Sequence, residues 1–223
     1  MRVTAVIFIL FLAISVNAQQ ISLEYGKVIS KFDYTNSDGT KPDNMQGSTN
    51  NHLLLGLNWP VTSLDFYVLS GLALNKYIAK SSDEILNNFY EWDVNYLNIN
   101  VGFGYEFLKS NSLLNVRNTN TESAFTFYAQ FCTGTEFLLS GTQTINNNVY
   151  SLNGVEQFDK PKIFVKGGLG VKYYASKSIS VYVEYMGGKS FSVFKSKSGD
   201  QEKLNFITHT ISLGIGIMLP THK

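Results

Sequence analysis

The chain has 223 residues, a formal net charge of +1 from 18 basic and 17 acidic residues, and one cysteine, Cys132. A nearly neutral chain without a basic stripe excludes a nucleic-acid-binding function, and a lone cysteine excludes an internal disulfide. Thirteen tyrosines and 16 phenylalanines, with only four prolines to interrupt them, favour long strands.

Residues 1–18 have the composition of an export signal. Arg2 precedes an apolar run from Ala5 to Ile14, and the small residue Ala18 comes before a polar stretch. The apolar run is too short to cross a bilayer as a helix. We therefore expect a cleaved signal peptide over 1–18 and a single domain over 19–223.

Alternation of apolar and polar residues predicts eight β-strands in the remainder of the chain. In 96–108 the odd positions, such as Val101 and Phe103, are large and apolar, while the even positions are polar or glycine. A period of two indicates a strand with two unlike faces. The predicted strands are 21–34, 51–59, 64–79, 96–108, 124–140, 160–175, 179–195 and 204–219.

The connections indicate how the predicted strands are joined and oriented. Short turns at 60–63 and 175–178 are typical of the periplasmic side of a membrane barrel, and an even strand count places both termini there too. The longer segments 35–50, 80–95, 141–159 and 196–203 are predicted to be extracellular loops. The connection 109–123 is also long, although it falls on the periplasmic side.

The face opposite the bulky residues decides between a soluble and a membrane barrel. A soluble lipocalin-like barrel would turn its bulky face inward and expose many charged residues. Here the other face is rich in glycine, as at Gly102, Gly104, Gly168 and Gly170, and bulky residues from eight strands would overfill so narrow an interior. We therefore predict an all-β, eight-stranded, antiparallel up-and-down transmembrane β-barrel, with the soluble lipid-binding barrel as an alternative.

Seven charged residues share the parity of the glycine-rich face and are predicted to form a structural cluster in the lumen. They are Glu24, Asp65, Glu106, Glu136, Lys166, Lys172 and Glu184. Charges in a narrow interior must pair or be hydrated. We expect Lys166 to meet Glu136 and Lys172 to meet Glu184, which would plug the lumen; an ion or proton path is the alternative.

Aromatic residues are expected at both edges of the membrane. The predicted positions are Tyr25, Trp59, Phe107 and Tyr173 on the periplasmic edge and Tyr77, Tyr96 and Phe137 on the outer edge. Phe89, Tyr90 and Trp92 fall in a predicted outer loop, where they would either anchor the membrane surface or contact an extracellular partner.

No motif predicts catalysis, and we expect a non-enzyme without catalytic, cofactor-binding or metal-binding residues. Gly168-Leu169-Gly170 lies in a predicted strand and lacks the third glycine of a phosphate-binding loop. A calcium loop beginning at Tyr34 fails because Tyr34 and Met45 stand at ligand positions. His209 and Ser212 have opposite parity, which disfavours the remote alternative of a lipid-modifying enzyme.

Three segments resemble the outer-membrane β-barrel domain family of Gram-negative bacteria: Tyr25-Gly26, Val101-Gly102-Phe103-Gly104-Tyr105 and Gly167-Gly168-Leu169-Gly170-Val171. The resemblance covers 19–223 and implies a multi-pass protein of the bacterial outer membrane, with outer-membrane lipid and the insertion machinery as partners. The chain departs from the family at its end, Met218-Leu219-Pro220-Thr221-His222-Lys223, where such proteins often carry an aromatic insertion signal.

Members of this family include structural barrels, adhesins, narrow transport proteins and a few lipid-modifying enzymes. We expect an integral outer-membrane barrel with a plugged polar lumen and a structural or surface-interaction role. A narrow porin or transporter for small molecules is the alternative.

Overall fold

The computed structural model describes residues 20–35, 39–41, 44–61, 65–83, 88–110, 125–176, 178–192 and 203–219. Over these residues the strands are β1 Gln20–Thr35, β2 Gln46–Pro60, β3 Phe66–Asp83, β4 Asn88–Ser110, β5 Phe125–Ile145, β6 Asn148–Ser151, β7 Lys162–Tyr174, β8 Ile179–Ser192 and β9 Lys203–Met218, with one short helix, α1 Glu156–Asp159. No helix in these ranges is long and apolar enough to cross a membrane. The predicted signal peptide and residues 111–123 lie outside the described residues.

Eight strands close into an antiparallel barrel. Each strand of the ring pairs with the next in the order β1, β2, β3, β4, β5, β7, β8 and β9, and β9 returns to pair with β1. The short β6 lies outside the ring and pairs with the last residues of β5. Closure pairs each of the eight ring strands on both sides, and the free edge belongs to the short β6. The predicted eight-stranded up-and-down barrel is confirmed, with β6 as an addition that the sequence did not predict.

The pairing register fixes the tilt of the strands. One circuit of paired residues leads from Gln20 through Asn58, Leu69, Gly102, Cys132, Lys166, Gly188 and Thr208 to Ser30, ten residues further along β1. A stagger of this kind requires the strands to lie about 35–45° from the barrel axis. Eight strands at such a tilt enclose an interior that side chains can fill.

The barrel has two unlike ends. We call the end at which Gln20 pairs with Met218 the near end, and the opposite end the distal end. Both ends of the described chain lie together at the near end. At the distal end β3 and β4 remain paired to Asp83 and Asn88, and β5 turns into β6 through Asn146 and Asn147, both at positive φ. The predicted loops 80–95 and 141–159 are therefore largely wrong, because the hairpins continue as strands through much of these segments.

The bulky face points outward along most of each strand. In β4, Val101 and Phe103 are 53% and 55% exposed, whereas the neighbouring Asn100 is 8% exposed. The same alternation exposes Leu23 in β1 and Leu213 in β9 and buries Glu24 and Ser212. A barrel with its bulky side chains inside, as in the lipocalin-like alternative, is therefore wrong for this chain.

Towards the distal end the two faces exchange character. On the outer face of β3 and β4, Leu74 and Leu97 give way to Lys76 and Asp93, whose side chains form a cross-strand ion pair at 2.7 Å. Lys80 and Glu91 form a second pair at 3.5 Å further along. The distal part of these two strands thus presents a charged surface.

The inner face changes in the opposite sense. In β9 the buried residues Ser212, Thr210 and Thr208 are followed by the buried Phe206 and Leu204. In β3 the buried Asn75 is followed by Tyr77, and in β4 the buried Asn98 gives way to Tyr96. The distal part of the barrel therefore has a largely apolar interior, which also holds the buried Lys162, and a charged exterior on β3 and β4. The larger near part is inverted.

Candidate functional site

Four aromatic side chains close the barrel interior at the level where the faces exchange. We call Phe32, Tyr77, Tyr96 and Phe206 the aromatic plug; each is at most 3% exposed. The Phe206 ring lies 4.8 Å from Phe32, 4.8 Å from Tyr77 and 5.3 Å from Tyr96, between ring centroids. Phe206 is therefore the central ring, and the plug obstructs the axis of the barrel.

The segment after β6 folds over the plug from the distal side. The Tyr96 hydroxyl donates a hydrogen bond to the Phe158 carbonyl oxygen at 2.8 Å, and Leu152 and Phe158 join the buried cluster around the plug. Tyr77 and Tyr96 were predicted at the outer membrane edge, which is wrong. They share parity with Asn75 and Asn98 and so point inward.

Below the plug, three tyrosines each lie over a glycine of the neighbouring strand. The directly paired residues are Tyr67 with Gly104, Tyr128 with Gly170 and Tyr182 with Gly214. A Cβ atom added at any of these glycines would come within 2.1–2.2 Å of the tyrosine ring. The glycines therefore make the room in which the three inward-facing rings lie.

Two of these hydroxyl groups reach buried acids, whereas the Tyr67 hydroxyl donates to the side-chain oxygen of Gln130 at 3.3 Å. Tyr182 donates to Glu24 at 2.9 Å and Tyr128 donates to Glu184 at 3.0 Å. Ser212 also donates to Glu24, at 3.2 Å, and Gln130 donates to Glu184. We call this set the tyrosine–acid network. Hydrogen bonds to each carboxylate replace part of the hydration lost on burial.

One ion pair lies at the near end of this network. The Lys172 ammonium contacts Glu106 at 2.8 Å, and Tyr174 donates to the same carboxylate oxygen at 3.2 Å. Lys172 also lies 5.3 Å from the ring centroids of Tyr67 and Tyr128, within the range of cation–π attraction. The expected pairing of Lys172 with Glu184 is wrong, because the tilted register brings Glu106 to the lysine instead.

The other predicted lumen charges have separate environments. Glu136 is buried and accepts hydrogen bonds from Tyr77 at 2.9 Å and Asn98 at 2.8 Å. The ammonium of Lys166 lies 4.6 Å from the centroid of the Phe164 ring, and between these two described residues no ion pair links Lys166 to Glu136. Asp65 is exposed in the turn before β3, so its predicted place in the lumen is wrong.

Phe89, Tyr90 and Trp92 do not form one surface patch. All three lie on β4 rather than in a loop, and alternation places Phe89 on the face opposite Tyr90 and Trp92. The rings of Tyr90 and Trp92 stack at 5.9 Å, and Trp92 packs against the cluster around the plug. Trp92 therefore faces the interior of the distal end, while Phe89 is exposed outside it.

A cavity of about 370 Å³ opens above the aromatic plug. We call it the distal cup; its lining includes Tyr34, Met45, Trp92, Ile145, Phe158 and Leu204, with Gln143 and Ser151 as polar members. A cavity of only about 60 Å³ lies below the plug, bordered by Glu24, Glu184, Lys166 and Lys172. The interior is therefore divided into a wide cup whose described lining has no charged residue and a narrow space bordered by charged residues.

The described residues do not bring His209 and Ser212 together. His209 faces outward and forms a 2.6 Å hydrogen bond with the Tyr185 hydroxyl, whereas Ser212 faces inward towards Glu24. Nor, within the described ranges, do three or more His, Cys, Asp or Glu side chains form a group that could hold a metal ion.

The sequence did not predict the plug, the cup or the roles of Tyr67, Tyr128 and Tyr182. Alternation along β3, β5 and β8 places the three tyrosines on the inner face, but their partners depend on the register between strands. An inward tyrosine paired with glycine, repeated on three strand pairs, is a signal that becomes visible only once the register is known.

The chain is similar in fold to solved structures of bacterial surface and outer-membrane proteins. It is 10% identical to Neisserial surface protein A, with a TM-score of 0.47, over 89% of this chain and 97% of that one. It is 15% identical to the outer membrane protein OprG of Pseudomonas aeruginosa, with a TM-score of 0.46, over 92% and 98% of the two chains. For Ail, the attachment invasion locus protein of Yersinia pestis, the identity is 12% and the TM-score 0.40, over 90% and 99%. No protein-family model matches the chain, and no curated protein sequence does.

Proposed function

We propose that this chain is an integral β-barrel protein of a bacterial outer membrane, with a closed lumen and a structural or surface-interaction role. The observation that carries the proposal is the exchange of faces along the strands. Around the near part of the barrel the apolar side chains face outward. Beyond Lys76 on β3 and Asn95 on β4, charged side chains replace most of them. An apolar outer face in the near part fits contact with lipid, and a polar outer face beyond it fits contact with water.

The near edge of the apolar surface supports the same proposal. A series of aromatic rings runs along it on four strands, with Phe66 and Tyr105 at 4.6 Å and Phe125 and Tyr173 at 4.9 Å between centroids. Phe107 lies between them, 6.4 Å from Tyr105. Aromatic girdles of this kind mark the membrane–water interface of barrels. Tyr25 is not part of this edge, because its hydroxyl reaches Asn51 at 3.3 Å on the distal side.

Closure of the lumen rests on two obstructions in series. The aromatic plug closes the interior at the level where the faces exchange, and the cavity beside the tyrosine–acid network below it holds about 60 Å³. A continuous water path through the barrel would have to displace buried rings at both levels. A structural or surface-interaction role therefore fits the interior better than conduction does.

Cell fractionation tests the membrane assignment. The chain is expressed in a Gram-negative host, and outer membranes are extracted with urea and analysed by gel electrophoresis with and without boiling. The chain should resist extraction and migrate faster unboiled, because a closed barrel stays folded in detergent. Recovery as a detergent-free monomer in the periplasm would overturn the proposal.

Cysteine labelling tests the orientation, with both termini proposed to be periplasmic. Ser82 and Asp65 are exposed at the distal and near ends, and Cys132 is buried. A membrane-impermeant maleimide added to intact cells should label Ser82→Cys and leave Asp65→Cys unlabelled. The reverse pattern would mean that the near end faces the outside.

A narrow porin or transporter is the second candidate, favoured by the polar cavity below the plug. Charged and hydroxyl groups around this cavity could hydrate a small solute. Recording in planar bilayers separates the two candidates, since a porin gives steady unitary conductance and a closed barrel does not.

A further inference from the structure

We propose that the distal cup is a binding site for a neutral, largely apolar small molecule that reaches it from the aqueous side. This inference goes beyond the proposed function, since it concerns a site outside the membrane-spanning part of the barrel. The cup is lined by residues of β1, β4, β5, β6 and β9, by Met45 just before β2, and by the segment that contains α1. Its volume of about 370 Å³ lies in the range of small-molecule sites.

The cup is closed at its floor, so it does not lead into the lumen of the barrel. Phe32, Phe158 and Leu204 form part of the lining and also belong to the buried cluster around the aromatic plug. Phe206, beneath them, is fully buried. A molecule in the cup therefore meets packed rings and has no path onward, as expected of a binding site.

The lining selects the chemistry of the ligand. In the part of the chain that the structure describes, no charged side chain borders the cup, and its polar members are Gln143, Ser151 and the tyrosines Tyr34 and Tyr150. An ionised ligand would lose hydration without gaining a partner of opposite charge. Trp92, stacked on Tyr90, offers an aromatic surface for a planar ligand of one or two rings.

The outer side of the same wall indicates where the ligand comes from. Two ion pairs, Lys76 with Asp93 and Lys80 with Glu91, lie across the outer face of β3 and β4. Trp92 lies on the inner face of β4. Lipid tails do not contact a surface with this density of charge. Lateral entry of an acyl chain through the wall of β3 and β4 is therefore unfavourable, which favours a dissolved solute as the occupant of the cup.

The two tryptophans of the chain allow a direct test. Trp92 lines the cup, and Trp59 lies on β2 at the near end of the barrel. Trp59→Phe leaves only Trp92 as a fluorophore, and Trp92→Phe leaves only Trp59. Both variants are reconstituted in phospholipid nanodiscs and titrated with 1-bromonaphthalene, a neutral aromatic molecule whose bromine quenches tryptophan on contact.

Trp92 fluorescence should be quenched saturably, with one molecule bound per barrel. Trp59 fluorescence should fall only in proportion to the probe dissolved in the lipid. Equal and unsaturable quenching of both tryptophans would overturn the proposal, because it would mean that the probe partitions into lipid without occupying the cup.

A matched pair of substitutions in the Trp59→Phe background locates the site. Val155 lines the cup, while Val149 is 65% exposed on β6 and is not part of the lining. Val155→Phe should weaken binding at least tenfold, and Val149→Phe should leave it unchanged. Both variants are first checked for heat-dependent gel mobility, so that loss of folding is recognised. If folded Val155→Phe binds as tightly as Val149→Phe, the cup is not the site.

Discussion

At the scale of single residues, the inner surface depends on glycines that accommodate tyrosine rings. Gly167 and Gly170 lie on the same strand but differ in surroundings. A Cβ atom at Gly170 would come 2.2 Å from the Tyr128 ring, whereas one at Gly167 would have no atom nearer than 3.8 Å. Moving the Tyr128 ring would also disturb its hydrogen bond to Glu184.

Gly170→Ala should therefore lower the free energy of unfolding by about 1–3 kcal/mol, the usual cost of overpacking. Gly167→Ala should be neutral or slightly stabilising, since glycine weakens a strand and the added methyl group meets no obstacle. Urea unfolding of the refolded barrels in lipid, followed by tryptophan fluorescence, measures both. Equal effects would show that the tyrosine rings do not constrain the glycines.

The pair of Lys172 and Glu106 offers a second prediction at this scale. The two side chains are only 6% and 15% exposed, so removing one partner leaves a poorly hydrated charge. A double-mutant cycle with Lys172→Met and Glu106→Gln should give a coupling energy of about 1–3 kcal/mol. The cycle with Lys172→Met and Glu184→Gln is the comparison. A larger coupling there would restore the pairing expected from the sequence.

At the scale of the strands, the exchange of faces makes the effect of an outward charge depend on its position. Val101 and Asn95 are both on the outer face of β4. Val101 lies in the near part, where the outer face is apolar, and Asn95 lies in the distal part, where it is polar. Val101→Arg should cost about 2–4 kcal/mol if that site is near the middle of the bilayer. Asn95→Arg, on the same strand and face, should cost less than about 0.5 kcal/mol. Similar costs, measured by urea unfolding in lipid vesicles, would contradict the proposed membrane position.

The strands also show what the sequence could and could not predict. Alternation alone located all eight strands of the ring and assigned Glu24, Glu106, Glu136 and Glu184 to the inner face, because parity is a local property. Pairing is not local. Lys172 meets Glu106 rather than Glu184 because the ring closes with a stagger that no single strand encodes.

The distal ends of the strands were missed for a different reason. Beyond Asn75 and Asn98 the apolar residues move to the inner face, so the pattern of a lipid-facing strand stops although the strand continues. Tyr77 was therefore assigned to a rim, and Trp92 to a loop. Opposite Asn95 and Tyr96, β5 carries the extra residue Leu139, which interrupts the alternation of β5.

At the scale of the whole molecule, the barrel combines two kinds of interior within one set of strands. The near part has polar groups inside and apolar groups outside, and it is held by the closed hydrogen-bonded ring and the tyrosine–acid network. The distal part has a largely apolar interior and, on β3 and β4, a charged exterior, and it supports the cup. The aromatic plug lies where the two parts meet. It forms the floor of the distal cup and closes the lumen of the near part.

Two seals in series predict how conductance should respond to substitution. Phe206 contacts the other three rings of the plug, and Tyr128 lies in the tyrosine–acid network beside Glu184 and Lys172. Phe206→Ala alone and Tyr128→Ala alone should each remain closed, because the other obstruction still fills the lumen. The double variant should show conductance in planar bilayers, since both levels then have space for water. Gel mobility confirms which variants are folded before recording. Steady current through the unsubstituted barrel would contradict the closed lumen, and current through a single variant would mean that only one of the two levels acts as a seal.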